Sequence, residues 1–248
     1  MSSPAARTEP AGFARALLAA VPPRFADRPL TPQAFEQAQR RAHWTLAVIG
    51  ALLAAGTLLL ATVGDAPLSR HLAGRFWVAE HRGLLKWLTD AGLYAGYAVF
   101  VALLALGWRR RERLWFEIAR AWLAAQLLGG IVVVRGLKML IAHPRPDAGP
   151  GDAPAQWFGL TWNAAYNSFP SGHSADIATS AFCLCLLLAR PWQRAWVLGF
   201  AALIGLTRIL LAKHWASDVL AGSAVGLTVA ALIAGFWLRR LATGDAPA

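Results

Sequence analysis

The chain has 248 residues, a hydrophobic fraction of 57% and a formal net charge of +11. The apolar residues are gathered into long runs instead of being spread at a helical period, which argues against an ordinary soluble domain. The basic residues collect at the ends of those runs, with no Lys/Arg stripe and no aromatic nucleic-acid motif. They therefore read as topology signals and anionic-lipid contacts, and no nucleic-acid partner is expected.

In chain order, residues 1–41 read as a cytoplasmic tail. Its apolar piece, Ala16 to Val21, is too short for the core of a signal peptide and runs into Pro22 and Pro23, so the first apolar run is expected to be an uncleaved anchor. That run is 43–63, and further runs follow at 91–108, 114–137, 172–189, 195–212 and 216–238. Each approaches the ~20 apolar residues that cross ~30 Å of hydrocarbon. The expectation is an all-α polytopic membrane protein, with six transmembrane helices in a domain at 42–240 and a short cytoplasmic tail at 241–248. Between the first two runs, segment 64–90 scatters Leu72, Phe76, Leu84, Trp87 and Leu88 among charges. It reads as an amphipathic helix lying on the membrane. The run 114–137 is interrupted by Glu117, Arg120, Gln126 and Arg135, and its Glu117 and Arg120 are expected as an i,i+3 pair at the interface. Cys183 and Cys185 point to different faces of one helix and read as packing thiols. No internal repeat is visible.

Orientation follows from Arg residues: Arg28, Arg40 and Arg41 before the first run, Arg109, Arg110, Arg111 and Arg113 after the second, Arg190 and Arg194 after the fourth, Arg239 and Arg240 after the sixth. The positive-inside rule makes these ends cytoplasmic. Helix parity then puts 138–171 and 208–215 together on the outward, periplasmic face, as expected for a bacterial inner-membrane protein. Arg70, Arg75, Arg82 and Lys86 fall on that outer side too, where a surface-lying segment tolerates them.

Three separated clusters share that outward face: Lys138-x6-Arg145-Pro146, then Pro170-Ser171-Gly172-His173, then Thr207-Arg208-x5-His214-x3-Asp218. Prolines 144 and 146 should break the helix that carries Lys138, letting Lys138 and Arg145 aim at one point. Arg offers a planar fork for phosphate oxygens and Lys a compact charge, although juxtamembrane cations look the same. A Ser-Gly turn at a helix start presents backbone N–H groups and the positive end of the dipole to an anion, while Ser171 also suits a simple N-cap. His173 stands beside that cradle, where an imidazole serves as a proton donor. His214 and Asp218 lie four apart, so a carboxylate can orient one imidazole nitrogen while the other attacks; the same pair also suits a helix-start ion pair. Arg208 suits either a phosphate contact or a snorkelling anchor.

The three clusters, in this order and spacing, resemble the type 2 phosphatidic acid phosphatase (PAP2) superfamily, which is also related to vanadium haloperoxidases. The family pattern is Lys-x6-Arg-Pro, Pro-Ser-Gly-His and Ser-Arg-x5-His-x3-Asp, and the chain departs from it only at Thr207, which keeps a hydroxyl. The resemblance covers roughly 90–238 and leaves the tail at 1–41 outside. It implies that Lys138, Arg145, Arg208, the Ser171 hydroxyl and the Gly172 N–H bind phosphate oxygens, with Thr207 as a further contact. It implies that His214, oriented by Asp218, attacks phosphorus to form a phosphohistidine, and that His173 protonates the leaving group and then activates water. Three cations make a divalent metal unnecessary, so neither metal nor cofactor is expected.

The expected substrate is a membrane lipid phosphate, since the site lies at the bilayer interface. Phosphatidic acid, phosphatidylglycerol phosphate, undecaprenyl pyrophosphate and lipid A all fall within the family, and an outward site mildly favours the last two. Trp157, Phe158, Trp162 and Tyr166 could line a lipid entrance or form an aromatic belt. The alternatives are a phosphotransferase of the same fold, a vanadate-dependent haloperoxidase, and a non-catalytic lipid-binding or transport protein.

Overall fold

The structure, a computed structural model, describes residues 30–147, 156–157, 160 and 162–243. Most of the tail read at 1–41 and Phe158 lie outside the described residues. The first helix, α1 (Pro32–Val63), starts well before the expected 43 because Thr31 caps it and Pro32 suits its first turn. Thr31 Oγ1 accepts the Ala34 N–H at 3.2 Å. The added turns are used: Arg41 donates to the carbonyls of Leu186 and Leu187 at 3.0 and 3.2 Å, capping the far end of another helix.

Short helices α2 (Asp65–Ala73) and α3 (Phe76–Glu80) follow. The next helix, α4 (Arg82–Arg110), takes in the last third of the segment expected to lie on the membrane. Charges at Arg82 and Lys86 do not end the helix, since both side chains are exposed. Nor does 64–90 merely rest on the surface. Val78 packs with Leu85, Leu210 and Leu211, and the buried Ser69 accepts the N–H of Ala216 at 3.0 Å. Asp65 Oδ1 accepts the N–H of Ser217 at 3.3 Å, so α2 caps a helix that begins about 150 residues later in the chain.

The run 114–137 is one continuous rod: α5 (Arg113–Ala125), a π-helical stretch Gln126–Val134, and α6 (Arg135–Leu140). Glu117 forms the expected i,i+3 pair with Arg120, turned into the bundle. It is fully buried, paired with Arg120 at 3.2 Å and accepting from Trp237 Nε1 at 2.8 Å, because two donors on the bundle side satisfy its oxygens. After α6, two-residue strands β1 (Ile141–Ala142) and β2 (Gln156–Trp157) pair antiparallel, and His143 bridges Asn167 beside them. The remaining helices are α7 (Gly172–Leu187), α8 (Pro191–Leu210) and α9 (Ala216–Thr243).

Five of these helical rods are long and apolar enough to cross a membrane. The expected sixth, α7, has 16 residues, which is roughly 24 Å and short of ~30 Å of hydrocarbon. It is the central helix, packed by α9, α8, α1 and α5, with Phe182, Cys183, Cys185 and Leu186 at 1% exposure or less. Both cysteines are free. Phe100 stacks on Trp122 with centroids 4.6 Å apart, and Trp122 Nε1 donates to Ser180 on α7. Outward faces expose Leu58, Val101, Ile131, Val132 and Leu232, an apolar surface suited to lipid.

Close packing of α7 on α9 depends on Gly222 and Gly226. A Cβ at Gly222 would stand 2.2 Å from the Ser171 carbonyl oxygen, and one at Gly226 would stand 2.2 Å from that of Ala175. Small residues four apart let two backbones touch. The contact sets the distance between the N-terminal ends of α7 and α9, where two of the three clusters lie.

Candidate active site

Asp218 organises the site. It is fully buried in the first turn of α9, and each of its oxygens is engaged. Oδ1 lies 2.9 Å from His143 Nδ1; Oδ2 accepts from Ser168 Oγ at 2.5 Å and from the Trp215 N–H at 2.9 Å. His214 is 3% exposed, with Nδ1 3.6 Å from Asp218 Oδ2. That is beyond direct hydrogen-bond reach, and Ser168 Oγ bridges the gap at 3.4 Å from the same nitrogen. His214 precedes α9, held where its N–H meets the Arg208 carbonyl at 3.2 Å. With Nδ1 turned to Asp218 and Ser168, Nε2 has no hydrogen-bond partner among the described residues. Burial pulls the His214 pKa down to about 4, with the charges of Lys138 and Arg145 adding to the fall and Asp218 opposing it. The imidazole is therefore neutral at pH 7, with an available lone pair.

The three cations of the clusters converge. Lys138 is close enough to Arg145 and Arg208 to be repelled by both, and Arg208 is repelled by Arg145. Lys138 Nζ donates to the carbonyls of Asn167 and Ser168 at 2.7 and 3.2 Å, which leaves one of its three protons. Arg145 Nε donates to the Ala164 carbonyl at 2.9 Å and Nη1 to that of Lys213 at 3.5 Å. Arg208 is 8% exposed, and its buried Nε has no hydrogen-bond partner. A buried unpaired guanidinium N–H is costly, and an anion is the group that would satisfy it.

At the head of α7, Ser171 is the N-cap and accepts from the Ser174 N–H and hydroxyl at 3.4 and 2.9 Å. Since it accepts both, its own proton stays uncommitted. The Ser171 N–H donates to the Asp218 carbonyl at 2.9 Å, tying α7 to α9. Gly172 and His173 border a cavity of about 640 Å³ shared with Lys138, Arg145 and Trp162. His173 Nε2 lies 3.7 Å from Asp90 Oδ1 on α4. Thr207 departs from expectation: it is fully buried and gives its only side-chain proton to the Ile204 carbonyl at 2.6 Å, so none is left for a phosphate. Among the described residues no three His, Cys, Asp or Glu side chains are grouped to hold a metal ion.

Sequence reasoning missed His143, Ser168 and Asp90. His143 sits between Lys138 and Arg145, so an imidazole inside that spacing was the available signal. Nothing local marks Ser168 or Asp90.

The PAP2 superfamily model matches residues 119–241, a stretch that encloses all three clusters. The chain is 30% identical over 142 residues to a decaprenylphosphoryl-5-phosphoribose phosphatase of Mycobacterium tuberculosis, a match covering 56% of this chain and 70% of that protein. The chain belongs to the PAP2 superfamily. Another PAP2 relative, a lipid A 1-phosphatase of Porphyromonas gingivalis, is 31% identical over 148 residues, covering 58% of this chain and 29% of that protein. The chain spans less than half the length of the lipid A 1-phosphatases it matches. A crystal structure of Aquifex aeolicus LpxE is similar at a TM-score of 0.49 and 26% identity, covering 68% of this chain and 93% of that one.

Proposed function

We propose that this PAP2 protein is a metal-independent phosphatase of a membrane lipid, acting through a phosphohistidine on His214. The observation that carries the reading is a buried, neutral His214 backed by Asp218, with Nε2 uncommitted, beside three converging cations that include an unsatisfied Arg208. His214 Nε2 attacks phosphorus as the bond from phosphorus to the leaving oxygen breaks, and His173 gives that oxygen a proton. Asp218 and Ser168 hold the ring while it becomes an imidazolium. Lys138, Arg145, Arg208, Ser171 and the Gly172 N–H stabilise the equatorial oxygens, where most of the acceleration of phosphoryl transfer arises. In the second half, His173 takes a proton from water as the water attacks, the P–N bond breaks, and inorganic phosphate leaves.

A panel of phosphatidic acid, phosphatidylglycerol phosphate, undecaprenyl pyrophosphate and lipid A, assayed with purified protein in detergent containing EDTA, tests this. Phosphate release from at least one lipid, lost at least 10³-fold in His214→Ala, is expected. Strict dependence on an added divalent cation would defeat the metal-independent reading.

A further inference from the structure

The cavity beside His173 continues down the bundle, and its lower wall is chemically unlike its mouth. Its upper part carries Lys138, Arg145 and, one turn below Lys138 on the same rod, Arg135; the wall below carries Tyr97, Gln126 and Asp176. Asp176 follows His173 by three residues, so the two share a face of α7, with Asp176 about 4.5 Å deeper along the axis. It is therefore on the side where the leaving group of a phosphate protonated by His173 would lie. Tyr97 donates its hydroxyl proton to Asp176 Oδ2 at 2.7 Å. Asp176 Oδ1 has no hydrogen bond from the described residues. It stands 3.4 Å from where a Cβ on Gly130 would be, so the absence of a side chain there keeps it open. Gln126 Nε2 donates to the Asp176 carbonyl at 3.2 Å and to Ser180 Oγ at 3.3 Å, which commits both of its protons and leaves its Oε1 as an acceptor. Gln126 and Gly130 both belong to the π-helical stretch, a geometry often found at functional sites.

The lower wall thus offers only acceptors: a carboxylate oxygen, an amide oxygen and a phenol whose proton is already given. A carboxylate deep in an apolar bundle with no cationic partner is a poor choice for simply tying α4 to α7, since a serine or asparagine could make the same bond to Tyr97. We propose that Asp176, with Tyr97 and Gln126, is a subsite for O–H or N–H donors on the leaving alcohol. The preferred substrates are then lipids whose phosphate is borne by a sugar or another donor-bearing polyol. This rests on the phosphatase reading above. Phosphatidic acid has an esterified glycerol with no donor to offer. The second phosphate of a prenyl diphosphate presents only acceptors to the Asp176 carboxylate and the Gln126 amide oxygen, leaving these buried groups unpaired.

The test is kcat/KM for phosphate release in detergent from lipid A 1-phosphate, phosphatidic acid and undecaprenyl diphosphate, with wild type, Asp176→Asn and Tyr97→Phe. Wild type should prefer the sugar phosphate at least tenfold. In Asp176→Asn, Tyr97 can still be bonded by the amide oxygen while an N–H turns into the cavity. The ratio of sugar phosphate to phosphatidic acid should fall at least tenfold, and the ratio of diphosphate to phosphatidic acid should rise. Tyr97→Phe, a milder change that guards against a misfolded Asp176 variant, should lower the first ratio in the same direction. An equal fall on all three lipids, or ratios that do not move, would overturn the subsite while leaving the phosphatase intact. Release from none of them by wild type would overturn both.

Discussion

At the residue scale, the protonation state of His214 sets when the nucleophile is available. Its pKa of about 4 is well below the ordinary imidazole value of ~6.5, and burial is the main cause. The free enzyme should therefore keep its nucleophile as pH falls, and the His214 limb in a profile of kcat/KM should lie near pH 4. A limb at ~6.5 instead would show that the ring is more hydrated than its 3% exposure indicates. The linked stability has the matching sign. The unfolded chain takes up a proton at His214 below about 6.5 while the folded one does not until about 4, so this group makes the fold less stable as pH falls through that window.

At the element scale, the contact between α7 and α9 governs the chemistry, because α7 brings Ser171 and His173 while α9 brings Asp218. Alanine at Gly222 would drive a Cβ into the Ser171 carbonyl at 2.2 Å, a backbone overlap that no rotamer change relieves. Gly222→Ala should lower kcat/KM roughly 10²-fold, in line with the cost of ångström-scale misplacement. Gly50→Ala on α1, where an added Cβ meets nothing within 4 Å, should behave as wild type, and equal losses in the two variants would sink the argument. What was legible in the sequence follows the same division. Long apolar runs mark helices wherever the signal is local, and the starts of α7 and α9 were readable at Gly172 and Ala216 because a cap or a turn precedes each. The early start of α1 and of α4 was hidden by charges that solvent and headgroups tolerate. The central place of α7 was not legible, because apolar residues look alike whether lipid or protein surrounds them. In the site, motif spacing named residues that the fold does bring near one another, yet the bonds from His143 and Ser168 to Asp218 cross 75 and 50 residues and leave no periodic trace. Thr207 shows the opposite limit, since a hydroxyl visible in sequence is consumed by its own helix.

At the scale of the whole molecule, the bundle has two chemically different ends. Helix α7 runs from the site at Gly172 to Leu187, where Arg41 caps its carbonyls, and Arg194 lies 4.5 Å from the Trp44 ring centroid near that same end. The Arg-rich end is the one that the positive-inside rule assigns to the cytoplasm, so we propose that the site faces outward. Leu160→Cys, at a position 77% exposed, on a background without Cys183 and Cys185, should react with an impermeant thiol reagent in intact cells. Labelling only after disruption would reverse the orientation. The covalent intermediate on His214 remains the central claim. It is tested most directly by quenching turnover of a radiolabelled lipid phosphate with alkali and mapping the label. The account predicts a base-stable, acid-labile phosphoryl group on the peptide carrying His214, absent in His214→Ala. Turnover that leaves no label on the protein, or a label on another residue, would contradict it.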